Sequence, residues 1–274
     1  MSHLGEFCLY QKISTGLHKP VEDYIVNTGD ISLAEEKFDI LVKLLDVFYA
    51  RSGGNGLAKR FPDSEGYWNF YEWSKFLSGS PKFKELSKED QPFEANLSAA
   101  LSLASRSIAN ICNALGNATA SVFYANKAEQ ISNAISETFF NPEIGLFFDF
   151  TNRPEIQPSV LTQAMCLLCG AADNLDQENI LNAIAQNGGM IANIEVVPAT
   201  LSMACFRYDA LLKADKDRYT EVILEEIDRD CGYMLDSGAT TFWETLKGEA
   251  DFGGAGSLCH GWSAMAAYYY STLL

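Results

Sequence analysis

Positive charge is scarce in this chain. Twenty lysines and arginines stand against 36 aspartates and glutamates, a formal net charge of -16. No basic stripe is available to neutralise phosphates, so nucleic acid is not an expected partner. The same deficit disfavours an anionic membrane surface and suits a neutral ligand. Long hydrophobic runs are missing too: no segment offers the roughly 20 consecutive apolar residues that cross a bilayer. The opening Met1-Ser2-His3-Leu4-Gly5-Glu6 has neither a basic n-region nor an apolar h-region, so no secretory signal is expected and the protein reads as cytoplasmic. There are only three histidines, and His3 and His18 both lie near the N-terminus. Cys166 and Cys169 form a C-x-x-C, but no second cysteine or histidine pair stands at ligand spacing. Neither a metal site nor a cofactor is therefore expected. The seven cysteines are an odd number, and Cys112, Cys166, Cys169, Cys205 and Cys259 lie in apolar helical patterns. They read as buried free thiols in a reducing compartment.

Strand signals are almost absent, whereas helical periodicity runs nearly throughout. Residues 1–274 are read as a single domain, long enough to bury a large core. Helices are predicted over Val21–Thr28, Ile31–Arg51, Phe93–Leu115, Ala118–Phe139, Ser159–Cys169, Gln177–Gln186, Pro198–Ala214, Tyr219–Asp230 and Ser257–Leu273, several of them ended by glycine. A short extended piece is expected at Gly145–Phe150. Residues 56–91 form a long irregular passage whose many aromatics argue against disorder. About nine helices of similar length, separated by long loops, fit an all-α ring of antiparallel helix pairs better than an up-down bundle. Three segments, Leu161-Thr162-Gln163-Ala164, Leu201-Ser202-Met203-Ala204 and Trp262-Ser263-Ala264-Met265, form a weak repeat. Each sets a small polar residue beside a large apolar one early in a helix, where it would let inner helices approach closely; ordinary helix packing would also account for it.

Three groups of residues could carry chemistry. Five aromatics fall in the seven residues from Tyr67 to Trp73, with Asn69 and Glu72 among them. This is either a sugar-stacking wall, with Trp68, Glu72 and Trp73 as its contributors, or a plug of rings over one end of the core. Downstream, Thr240-Thr241-Phe242-Trp243-Glu244 places one carboxylate beside an indole in a segment that reads as a loop. A carboxylate so placed can move a proton at a glycosidic bond. Finally, His260, followed by Gly261-Trp262, opens the last helix and could bond a sugar hydroxyl or orient Glu244. Between the last two lies Asp251-Phe252-Gly253-Gly254-Ala255-Gly256. It lacks the lysine and the preceding strand of a phosphate cradle and reads as a loop bordering the site, with Asp251 a minor candidate.

Four stretches together carry a resemblance: Tyr67-Trp68-Asn69-Phe70-Tyr71-Glu72-Trp73, Ser159-Val160-Leu161-Thr162-Gln163-Ala164, Gly238-Ala239-Thr240-Thr241-Phe242-Trp243-Glu244 and Ser257-Leu258-Cys259-His260-Gly261-Trp262-Ser263. From about Thr28 onward the chain resembles the C-terminal part of the catalytic domain of α-L-rhamnosidase-like glycoside hydrolases, which are six-hairpin (α/α) toroids. The resemblance implies inverting hydrolysis of terminal α-L-rhamnosyl or related bonds. It puts the general base on Glu244, the site histidine on His260 and the sugar-stacking aromatic loop on Trp68 to Trp73; Trp243, next to Glu244, is a further substrate-binding candidate. Inversion takes two carboxyl groups roughly 6.5–9.5 Å apart. The family's general acid lies in an Asp- and Arg-rich segment before these helices, and nothing from Met1 to Lys19 resembles it. The expectation is therefore a partial toroid with impaired activity, its open edge covered by a partner chain or oligomer. A non-catalytic carbohydrate-binding remnant is the alternative. A toroidal sugar epimerase would want paired histidines, and only His260 is well placed.

Overall fold

The computed structural model describes residues 7–8, 18–62, 67–78, 83 and 86–274, with backbone alone at 7–8 and 67–68. The order is β1 (Phe7–Cys8), α1 (His18–Thr28), α2 (Ser32–Tyr49), β2 (Tyr67–Trp68), α3 (Ala95–Ala114), α4 (Ala118–Phe139), β3 (Phe140–Asn141), β4 (Leu146–Phe147), α5 (Val160–Leu168), α6 (Glu178–Ala185), β5 (Gly189–Ile191), β6 (Ile194–Val196), α7 (Ala204–Asp236) and α8 (Met265–Leu273). β1 and β2 pair in parallel, β3 with β4 and β5 with β6 antiparallel. α7 is two helices: Asp215 adopts an extended conformation, and its carboxylate accepts a bond from the Arg218 N–H at 3.0 Å, capping the second half. The predicted division after Ala214 falls at this break. With it, the described residues hold nine helical runs.

Packing follows from the apolar patterns. α2 buries Ala34, Leu41, Leu45 and Phe48, one face of an amphipathic helix. α3 buries 15 of its 20 residues and α5 all but its last, so both are enclosed by other helices. The small residues of α3 permit close approach to α4: Ser102 Oγ meets Ser132 Oγ and the Ala128 carbonyl, each at 2.9 Å. Gly116, at φ +75°, reverses the chain between α3 and α4, and Asn117 caps α4 through the Ala120 N–H. Neighbouring packing runs α1, α3, α5, α7, α8, with α2, α4 and α6 outside as hairpin partners. This inner and outer alternation is the arc of an (α/α) toroid.

Two expectations change. The last helix begins at Met265 rather than Ser257; residues 257–264 are loop and a tight turn, because Gly256 and Gly261 flank a stretch held by side-chain bonds instead of a helical ladder. Cys259 is exposed in that loop, while Cys112, Cys166 and Cys169 are buried free thiols and Cys205 is half-buried. The β5–β6 hairpin was not anticipated. It turns through Ala192 and Asn193, both at positive φ, as a right-twisted two-residue turn demands.

Candidate functional site

The inner helices α3, α5, α7 and α8 begin next to one set of loops, and each of the three repeated segments starts one of the last three. Ser/Thr side chains there are buried: Thr162, Ser202 and Ser263. Beneath the loops lies a floor of acids. Arg60 and Glu94 are enclosed, 0% and 1% exposed, and meet at 3.2 Å. The Tyr71 hydroxyl donates to the second oxygen of Glu94, and the Arg60 guanidinium sits 4.7 Å over the Phe83 ring. Asp149 accepts the Ser159 N–H at 3.1 Å, and Ser159 in turn caps α5. Burial pushes the Asp149 carboxyl up to about 6; the neighbouring Glu94 charge adds to the rise, while bonds from Thr162 and Ser159 oppose it.

Glu72 belongs to this floor. Its Oε2 accepts the Thr200 N–H at 2.7 Å and the Thr200 hydroxyl at 2.9 Å. Its Oε1 is buried without a hydrogen-bond partner. Burial pushes the carboxyl up to about 7, against the pull of the bonds from Thr200; the Asp149 charge raises it further. Ser74 donates to the Pro198 carbonyl, so Glu72 and Ser74 together tie the aromatic loop to the entry of α7. Of that loop, Phe70, Tyr71 and Leu77 are core residues, as the plug reading expects, whereas Trp73 is half-buried and reaches a cleft. The side chain of Trp68 lies outside the described residues.

The rim is built differently. The Glu244 N–H bonds to the Ser257 carbonyl at 2.9 Å, and its carboxylate Oε2 accepts the Ser257 N–H at 3.1 Å. The Trp262 indole N–H donates to the Glu244 carbonyl at 2.8 Å, and Ser263 Oγ donates to the Trp243 carbonyl. His260 donates its N–H to the Phe242 carbonyl at 2.8 Å and stacks on Trp262, ring centroids 3.6 Å apart. Trp243 packs over Gly248, whose φ of +54° and lack of Cβ make room: an added Cβ would stand 2.8 Å from Trp243 Cε3. Glu244, Trp243, His260 and Trp262 thus form one clamp of two loop strands, half-buried throughout.

A cleft of about 450 Å³ separates rim from floor. Trp73, Thr200, Asp230, Thr245, Asp251 and Phe252 are among its lining residues; Glu244 and His260 are not. The Trp73 and Phe252 rings touch, centroids 4.4 Å apart at 46°. The sequence reading passed over Asp149, although a charge inside Phe147-Phe148-Asp149-Phe150 is the signal of a buried acid. Arg60, Glu94, Thr200 and Asp230 carry no such local mark. Among the described residues no group of three or more His, Cys, Asp or Glu is placed to hold a metal ion, and no helix is long and apolar enough to cross a membrane.

Comparison with known proteins agrees with this architecture. Residues 19–273 match the profile of the bacterial alpha-L-rhamnosidase 6 hairpin glycosidase domain. The fold is similar to that of the GH78 family rhamnosidase of Bacillus sp. GL1, with TM-score 0.75 and 22% identity over 93% of this chain and 25% of that one. It is similar also to a rhamnosidase from Klebsiella oxytoca with rhamnose bound, with TM-score 0.74 and 19% identity over 97% of this chain and 47% of that one. The chain thus spans about a quarter and about half of these two proteins. No curated protein matches it.

Proposed function

Since the chain belongs to the bacterial alpha-L-rhamnosidase 6 hairpin glycosidase domain family, we propose that it carries the general-base half of a glycoside hydrolase site for terminal α-L-rhamnosyl or related bonds. Residues 1–274 are read as one toroidal domain. Glu244 takes the proton of the attacking water, and inversion follows if a second carboxyl group protonates the leaving oxygen. The observation that carries this reading is the clamp that fixes Glu244 beside Trp243, with the His260–Trp262 stack bonded to its own backbone. An indole face beside a carboxylate suits a pyranose, whose carbon-bound hydrogens stack while its hydroxyls bond. Trp68 and Trp73 are the further stacking residues of this proposal. Glu72 acts through Thr200, because its carboxyl is enclosed. No residue is assigned as proton donor in this proposal, and low activity of the chain by itself is its expected outcome.

A cytoplasmic location is supported by the free buried thiols of Cys112, Cys166 and Cys169. We further propose a partner chain or oligomer contact at the far end of α7 and on α8, a reading supported by the exposure of Leu235 and Tyr268, 69% and 60%. Sedimentation as a monomer at every concentration would remove it.

The test is hydrolysis of an aryl α-L-rhamnoside by folded protein, with the anomer of the released sugar followed by NMR. Release of the β-anomer first, lost in Glu244→Gln, supports the proposal; a retained anomer or an active Glu244→Gln refutes it. One observation favours a second reading: the Glu244 carboxylate bonds to Ser257 and does not line the cleft that Trp73 reaches. A non-catalytic saccharide-binding role fits this, and saturable binding without turnover would select it.

A further inference from the structure

In a chain of net charge -16, cations gather where the end of α2, residues 86–93 and residues 151–153 meet. Two clefts of about 390 and 270 Å³ lie side by side there and share Lys59, Glu89 and Phe93. Together they fall within the range of about 300–1,000 Å³ usual for small-ligand sites. Arg153 lines the larger cleft, Arg51 and Lys88 the smaller, and Lys59 stands at the junction. Arg51, Lys59 and Arg153 are half-buried, and each is held by a carbonyl and a ring instead of an acid. Arg51 donates to the Arg60 carbonyl at 2.8 Å and lies 4.6 Å from the Phe61 centroid. Lys59 donates to the Glu89 carbonyl at 2.7 Å and lies over Phe93 at 5.3 Å. Arg153 donates to the Asn152 carbonyl at 3.0 Å and faces, at 5.9 Å, the Phe83 ring that Arg60 also faces. Arg60 has Glu94 as its counter-charge, but among the described residues no carboxylate pairs with Arg51, Lys59 or Arg153. The buried Nε of Arg51 has no hydrogen-bond partner. Cations drawn partly out of water without a counter-charge cost stability, and an anion removes that cost. The local acids do not supply it. Asp90 accepts the Ser87 hydroxyl at 2.7 Å, and Glu89 gives Lys59 its carbonyl while its side chain stays exposed.

We propose that these joined clefts bind a small organic phosphate, with its head between Arg51, Lys59 and Arg153 and its apolar part on the Phe93 ring. A phosphomonoester carries about -1.5 to -2 charge at neutral pH, which answers several cations where a carboxylate answers one. Arginine forks beside a lysine point charge are the donors that suit it. Phe93 is fixed in place: its N–H donates to Thr151 Oγ1 at 3.0 Å, and Gly53 lies so close that an added Cβ would stand 3.1 Å from its ring. The negative field of the whole chain opposes loosely held anions, so a shaped pocket of cations is needed to keep one. The site shares no residue with the Glu244 clamp or with the cleft that Trp73 reaches, and it does not rest on the hydrolase reading.

The experiment is a calorimetric titration of the full chain with phenyl phosphate, inorganic phosphate and benzoate, at neutral pH and low salt. Saturable binding of phenyl phosphate is expected, about tenfold weaker for inorganic phosphate, which lacks the ring, and weaker also for benzoate, which lacks the second charge. Lys59→Gln and Arg153→Gln should each weaken phenyl phosphate about tenfold. Glu89→Gln should tighten it, because an opposing charge is removed. Glu89 is exposed, so the exchange spares the core, and a gain of affinity cannot come from unfolding. Lys127→Gln, which alters neither cleft, should bind as the wild type does. Absence of saturable phenyl phosphate binding, or wild-type affinity in both Lys59→Gln and Arg153→Gln, overturns the inference. Benzoate binding tighter than phenyl phosphate overturns the phosphate class, and an equal loss in Lys127→Gln reduces the effect to overall charge and overturns the site.

Discussion

The floor and the rim of the site hold carboxylates in opposite ways. In the floor, Glu72, Glu94 and Asp149 are enclosed, and their negative charge is met by one guanidinium, by hydroxyls and by peptide N–H groups. In the rim, Glu244 is half-buried and accepts a single N–H from Ser257, while most bonds of its neighbourhood join backbone to backbone or indole to backbone. An enclosed acid fixes the loops around it but cannot meet a water molecule without a rearrangement. A half-exposed acid on a clamped loop can. On the proposed reading, position in the toroid assigns work to each carboxylate more sharply than residue type does.

The sharpest way to break the contrast is to neutralise one acid from each side. Glu244→Gln should cut turnover of an aryl α-L-rhamnoside by about 10²–10⁴-fold with little change in Tm, measured by initial rates and thermal melting. Removing the cation of the floor should act on stability instead. Arg60→Met leaves Glu94 without its guanidinium in a dry place, at an expected cost of about 3–5 kcal/mol read from urea unfolding. A melt within a degree of the wild type would show that the ion pair contributes little.

A pH series sharpens the same comparison. Burial raises the Glu72 carboxyl from 4.5 to about 7. Below pH 4.5 it is protonated in both the folded and the unfolded chain. Between 4.5 and about 7 the unfolded chain releases the proton that the folded chain keeps, so stability falls as pH rises, by on the order of 3 kcal/mol in all. Asp149, raised from 3.8 to about 6, adds a decline of the same sign over its own interval. Glu72→Gln should flatten the Glu72 part and leave that of Asp149. An unchanged slope would mean that Glu72 is not the enclosed acid described. The smallest effect belongs to the rim: Gly248→Ala places a Cβ against Trp243 at a positive φ and should cost about 1–2 kcal/mol, together with a shift in tryptophan fluorescence.

Much of the helical frame was legible in the sequence. Gly29, Gly116 and Gly170 end helices as read, and all three lie at positive φ. The division of α7 after Ala214 was visible because a run of charged residues, Lys213 to Arg218, interrupts the apolar pattern. The start of the last helix was misread because Leu258, Trp262 and Met265 mimic helical spacing in a loop that side chains hold. Glu244 and His260 stood out through their neighbours. The link of Glu72 to Thr200 did not, since it depends on where two distant loops meet. Asp149 could have been found from its apolar flanks; Asp230 could not, because it lies in an ordinary charged helical stretch.

The Thr200–Glu72 bonds join positions 128 residues apart. A nascent chain leaving the ribosome displays its ring-bearing loop long before the segment that anchors it, and the Thr245 wall emerges later still. Until then those rings stand over an unfinished helical arc, a vulnerable interval in which they are free to stick to other chains. Synthesis of the C-terminal half is thus the step at which the aromatic loop gains its anchor.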